Sequence, residues 1–144
     1  MFIATALYDG AQMAAQTGVA GQLHGALLGL VTNAVAWGKG TVIGALVEPT
    51  FAGYARIAIT WSALFVAPDG TYRAASQDCV FQPTDDLTPT AVTGYFVVAS
   101  DGTTLLGGEN FQAPINLPNH LSRLAETIEW VFTNQFQAEA DLVN

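Results

Sequence analysis

WSALFVAPDGTYRAASQ (residues 61–77) and AVTGYFVVASDGTTLLGGE (residues 91–109) are the two stretches whose reading decides the fold of this chain. Each sets an Asp-Gly pair, Asp69-Gly70 or Asp101-Gly102, between runs of strand-forming residues. Asp-Gly accepts the positive φ angles of tight hairpin turns, so each stretch predicts two antiparallel strands closed by a short loop. The strands are expected at 64–67 and 71–75 in the first hairpin, and at 93–99 and 103–107 in the second.

Working outward, residues 23–33 predict a strand in which Leu28 and Leu30 lie on one face and Leu27 and Val31 on the other. Apolar residues on both faces are expected where a sheet is covered on each side, although Gly25 and Gly29 weaken this strand. After the Gly-rich run through Trp37, residues 41–47 read as a short strand or an irregular crossing. In residues 54–62, Ala55, Ile57, Ile59 and Trp61 alternate with Tyr54, Arg56, Ala58 and Thr60, which aims the first set at the core. Residues 79–82 add a strand, the polar, proline-bounded run 83–90 is a surface loop, and 112–121, rich in Pro and Asn, reads as irregular. The last strand is expected over 123–133, with Trp130 in the core and Glu126 breaking the apolar face. Short strands separated by Gly, Pro and Asn, with no long helical period, predict an all-β chain: an antiparallel β-sandwich of jelly-roll type. The sandwich body is placed at 22–136, preceded by an N-terminal arm (1–21) and followed by an acidic tail (137–144).

The composition restricts function more than it reveals it. The chain has 144 residues, 51% of them hydrophobic and only 11% charged, against about 25% charged in an ordinary soluble domain. So few charges do not cover a surface, which points to uncharged polar groups and to partner subunits as the cover. Four cations stand against twelve carboxylates, for a net charge of −8, and the cations are scattered. No basic patch could neutralise several phosphates, and an acidic chain is unsuited to an anionic bilayer, so neither nucleic acid nor membrane is an expected partner. The start lacks the basic region of a secretion signal, and 19–37 is too polar for a membrane span. Cys79, the single cysteine, reads as a buried apolar thiol.

Candidate chemistry is sparse. Glu126 and Glu129, three apart on a strand, point to opposite faces and do not make a glycosidase pair. Asp85-Asp86 reads as a solvated turn without the spaced oxygen ligands of a calcium site. His24 and His120 belong to no metal-ligand cluster, and no nucleophile elbow or phosphate loop is present. The reading is of a non-enzymatic protein with no cofactor and no metal. Exposed rings on Trp37, Tyr54 or Tyr72 could instead serve a sugar platform, whereas Trp61 and Trp130 read as core.

Between about Val47 and Pro114 the chain resembles small structural proteins of tailed bacteriophages. The resemblance is carried by Glu48-Pro49-Thr50-Phe51-Ala52-Gly53-Tyr54-Ala55, the strand with Trp61, the Pro68-Asp69-Gly70 turn, and Gly94-Tyr95-Phe96-Val97-Val98 leading through Asp101-Gly102 to Phe111-Gln112-Ala113-Pro114. It implies a virion component made in the host cytoplasm, in particular a decoration (cement) protein on the capsid surface, with the major capsid protein and its own copies, as a homodimer or homotrimer, for partners. The expected contact residues are Met13 in the arm and Trp37, Phe51, Tyr54, Asp85 and Asp86 in loops. A tail or fibre appendage module binding carbohydrate is the alternative.

Overall fold

The Asp-Gly stretches fold as hairpins, by a turn geometry different in detail from the expected one. Only the glycines take the left-handed conformation, with φ of 84° at Gly70 and 76° at Gly102, while Asp69 and Asp101 keep negative φ. In both turns the glycine N–H donates to the carbonyl three residues back, Ala67 and Ala99, at 2.9 Å. Pro68 and Asp69 supply the two central positions of an ordinary type I turn, and the glycine that follows redirects the chain into the returning strand.

The computed structural model describes residues 2–3, 23–62, 65–70 and 72–132. Among them run the strands β1 (Phe2–Ile3), β2 (Leu27–Val31), β3 (Ile57–Ala58), β4 (Phe65–Val66), β5 (Tyr72–Ala75), β6 (Cys79–Phe81), β7 (Thr90–Val98), β8 (Leu105–Leu117), β9 (Leu124–Glu126) and β10 (Ile128–Phe132). The acidic tail and most of the N-terminal arm, Met13 included, lie outside the described residues. Phe2 and Ile3 are the exception, pairing in parallel with Ile128 and Glu129 at the edge of a sheet.

Two four-stranded sheets form the body, ordered β3-β2-β7-β8 and β1-β10-β5-β4, with β6 and β9 as a third pair. Apart from the β1–β10 edge, all the paired strands are antiparallel. Two continuities simplify this arrangement. β6 and β9 prolong the β5–β10 ladder past an irregularity, where Ser76 exchanges backbone and hydroxyl bonds with Ile128 at 2.8 Å and the Thr127 hydroxyl donates to Asp78. The expected single strand over 123–133 is therefore divided at Thr127. Likewise the chain passes from one sheet to the other between β3 and β4. It pairs with β2 through Ile57 and Ala58, bridges Trp61 to Ser76, and then pairs with β5 through Phe65 and Val66. The same stretch of backbone thus borders both sheets, a corner of the kind found where strands switch layers. The expected all-β sandwich is the fold.

The main core lies between the layers: Leu28, Leu30, Tyr95, Val97 and Leu106 from one sheet meet Ala74, Ile128 and Trp130 from the other, joined by Cys79, Phe81 and Leu124. Trp61 is half-buried, sets its ring edge-on to Trp130 at 6.4 Å, and donates its indole N–H to the Leu23 carbonyl at 2.6 Å. Burial raises the Cys79 thiol above its usual pKa. The alternation expected over 54–62 holds at Ile59, which is buried, and fails at Ala55, which is exposed because the chain has not yet joined the sheet there. Residues 41–47 take the irregular alternative, with a single 3₁₀ turn at Ile43–Ala45.

A second, smaller core lies on the outer face of the β2–β7–β8 sheet, where Val31, Phe96, Val98 and Leu105 are covered by Trp37, Ile43 and Leu46. Residues 34–47 form a strap across that face. The covering of both faces expected from the Leu27/Val31 and Leu28/Leu30 pattern is thereby met.

One expectation fails clearly. Residues 112–117, read as irregular, belong to β8, which reaches Leu117. Pro114 is tolerated because the ladder bulges there: between the pairs Val92–Ile115 and Gly94–Asn110, Thr93 alone stands opposite the four residues Phe111 to Pro114. A residue pushed out of register owes no ladder hydrogen bond, so the missing N–H of proline costs nothing.

Candidate interaction surface

The strap is fastened at both ends. At its roots, Thr32 N–H donates to the Val47 carbonyl at 2.8 Å, and the Asn33 side chain donates to the Ala45 carbonyl and accepts from Val47 N–H, each at 3.0 Å. Midway, Asn110 on β8 donates to the Val35 carbonyl at 2.9 Å and accepts the Trp37 indole N–H at 3.0 Å. Trp37 lies over Gly108, where a Cβ would overlap its ring. The ring is consequently part of the chain's own packing, with one face and its polar edge already engaged.

Behind the strap sits a polar clamp. Glu48 takes a bidentate grip on Arg56, at 3.0 Å through Nε and 2.9 Å through Nη2, and accepts the Tyr54 hydroxyl at 2.7 Å. The Tyr54 oxygen in turn accepts Leu30 N–H at 3.0 Å, just beyond the two residues that β2 pairs with β3. Arg56 also donates to the Gly102 carbonyl at 2.8 Å and lies 5.2 Å from the centre of the Phe96 ring. Burial alone would raise Glu48, but the hydrogen bonds from Arg56 and Tyr54 outweigh it and hold the carboxyl below its ordinary range. Burial and the neighbouring Glu48 push the Tyr54 phenol well up. Every polar tip here has a partner, so the cluster is an anchor joining the strap, the β3 edge and the Asp101-Gly102 turn.

At another place on the surface, loops 82–90 and 118–122 are tied together. Asp86 accepts the backbone N–H of His120 at 2.9 Å and its ring nitrogen at 2.5 Å, and Gln82 donates to the His120 carbonyl at 2.7 Å. Those bonds to His120 hold the Asp86 carboxyl below its usual pKa. Asp85 accepts Leu87 N–H at 3.0 Å. The tie presents two large apolar side chains to solvent, Leu87 at 84% exposure and Leu121 at 77%.

Near the bulge, a recess of about 260 Å³ is bounded by Tyr95, Glu109, Asn110, Phe111 and Gln112. The Tyr95 hydroxyl donates to Glu109 at 2.8 Å, and burial followed by the charges of Glu109 and Glu126 pushes this phenol well up. Such a phenol stays protonated and serves as a donor. Among the described residues no group of three or more His, Cys, Asp or Glu side chains could hold a metal ion, and no helix is long and apolar enough to cross a membrane.

The expected contact residues are therefore dispersed. Phe51 is corrected: it is 3% exposed, packed in the main core and edge-on to Tyr54 at 5.5 Å, because the Glu48–Tyr54 segment turns inward after Pro49. Tyr54 is half-buried in the clamp, Trp37 belongs to the strap, and Asp85 and Asp86 stand in the loop that carries Leu87. The Asp86–His120 tie and the exposed Leu121 carried no sequence signal, since 34 residues separate the paired groups. No family model matches the chain, and neither does any curated protein or solved structure.

Proposed function

We propose that this chain is a non-enzymatic structural protein of a tailed-bacteriophage particle, of jelly-roll type, that binds the outside of the capsid as a decoration or cement protein and associates with its own copies. The observation that carries this reading is the surface. On a chain with 11% charged residues, Val42, Val47, Val66, Leu87 and Leu121 stand 53–84% exposed on separate loops and an edge strand. Several apolar points with little charge between them suit repeated contacts to an array of identical neighbours. The Glu48–Ala55 and Phe111–Pro114 pieces of the resemblance form the clamp loop, with Phe51 turned into the core, and the β8 bulge.

The competing reading, a carbohydrate-binding tail or fibre module, needs a free ring platform, and Trp37 already uses one ring face and its indole N–H within the chain. The test is co-sedimentation of the purified chain with expanded capsid shells, together with its copy number in intact particles. Saturable binding at a fixed ratio to the major capsid protein is expected. Absence from particles, or recovery with tails alone, would overturn the capsid assignment.

A further inference from the structure

Glycines at Gly38, Gly40 and Gly44 in the strap have no reason to be glycine within the chain itself. None takes a positive φ, and a Cβ built on any of them meets no atom within 4 Å. Glycine in such places costs chain entropy without a conformational or packing return. What glycine still provides is close approach by another surface. Gly38 and Gly40 also border a shallow depression of about 440 Å³, shared with Ala34, Ala36, Val42 and Ala45. Its floor is small and uncharged, and the exposed Lys39 lies in the chain between Gly38 and Gly40.

The same chain carries an apolar protrusion, with Leu87 at 84% exposure. Among the described residues Leu87 is the most exposed large apolar side chain, and it follows directly on Asp85 and Asp86. Asp85 fixes the loop by accepting Leu87 N–H, and the Asp86–His120 tie fastens it to the neighbouring loop. The protrusion is thus held in shape before it meets anything, which reduces the entropy lost on docking.

We propose that the strap depression receives the Asp85–Leu87 loop of a second copy of this chain, Leu87 entering over Gly38 and Gly40 while Lys39 faces the acidic pair. No residue is common to the two patches, so the contact is made twice in a reciprocal two-fold pair or repeats head to tail until it closes. Self-association is part of the proposed function, and this inference gives it a named contact. Charge complementarity selects a second copy as the occupant: an acidic, apolar loop meets a small-residue depression bearing a cation.

The test is sedimentation equilibrium of the full chain without capsids. Wild type is expected to associate, and Leu87→Asp or Gly40→Leu to weaken association about tenfold or more, since each denies the contact one buried large apolar side chain. Both positions are exposed, so the thermal midpoint of each variant is expected to match wild type. Mixing the two variants is the discriminating step. Leu87→Asp retains a working depression and Gly40→Leu a working protrusion, so together they should form a one-to-one pair that neither forms alone. A wild-type chain that stays monomeric, variants that associate like wild type, or a mixture that forms no pair would each overturn the contact. If either variant fails to fold, Lys39→Glu replaces it, with weaker association expected and unchanged association overturning the proposal. Loss of capsid binding by a chain that still self-associates would count against the capsid reading alone.

Discussion

Phe96 shows how single residues set the outer face of the sandwich. In register across three strands stand Gly29, Phe96 and Gly108. The Phe96 ring folds over Gly29, the Trp37 ring over Gly108, and Arg56 lies above Phe96. Gly29→Ala would drive a methyl group into the Phe96 ring, and overpacking of this kind costs about 1–3 kcal/mol, measurable as a lower urea midpoint at unchanged slope. In the sequence Gly29 reads only as a weakness in a strand. Its partner lies 67 positions further on, and nothing local shows that an aromatic ring needs the space. Asp101 is more legible, as a turn former, though its pH dependence is not. The Thr104 hydroxyl and the N–H groups of Thr104 and Thr103 bind its carboxylate and lower its pKa to about 2 from 3.8. A carboxyl depressed on folding stabilises the native state above its unfolded pKa and loses that contribution as pH falls through the folded one. The stability advantage of wild type over Asp101→Ala should therefore be full at neutral pH and shrink between about pH 4 and pH 2 in chemical denaturation.

At the scale of elements, the strap depends on the Glu48 clamp. Glu48→Gln keeps the shape and removes the charge, leaving Arg56 and Tyr54 with a weaker acceptor. The loss expected is about 1–2 kcal/mol, at the low end for bonds to charged groups because the pair is partly exposed. Amides of the strap should exchange faster in hydrogen–deuterium measurements, while those of β7 remain protected. Strap amides as slow as in wild type would show that the fastening lies elsewhere. The hairpins around Gly70 and Gly102 were legible because their turn chemistry is local. β8 beyond Asn110 was not, because Pro114 and the flanking Asn residues read as a breaker unless the bulge that accommodates them is known. The division of the last strand at Thr127 is equally hidden. It is fixed by bonds to Ser76 and Asp78, about fifty positions away in the sequence.

For the whole molecule, patterning and composition carry different information. Alternation and turn residues made the sandwich and its doubly covered sheet readable, since burial of apolar faces is what both the pattern and the fold express. The candidate contact surface was readable only in outline. Low charge points to uncharged polar groups or partner subunits as the cover, but which loops stand out depends on tertiary ties such as Asp86–His120. Phe51 illustrates the difference: an aromatic in a loop sequence looks available, and the fold turns it inward. The passage of the chain from β3 to β4, which borders both sheets, also matters mechanically. Tension entering one layer passes into the other along continuous covalent backbone rather than across side-chain contacts alone. The two layers are therefore held against shearing into separate leaves.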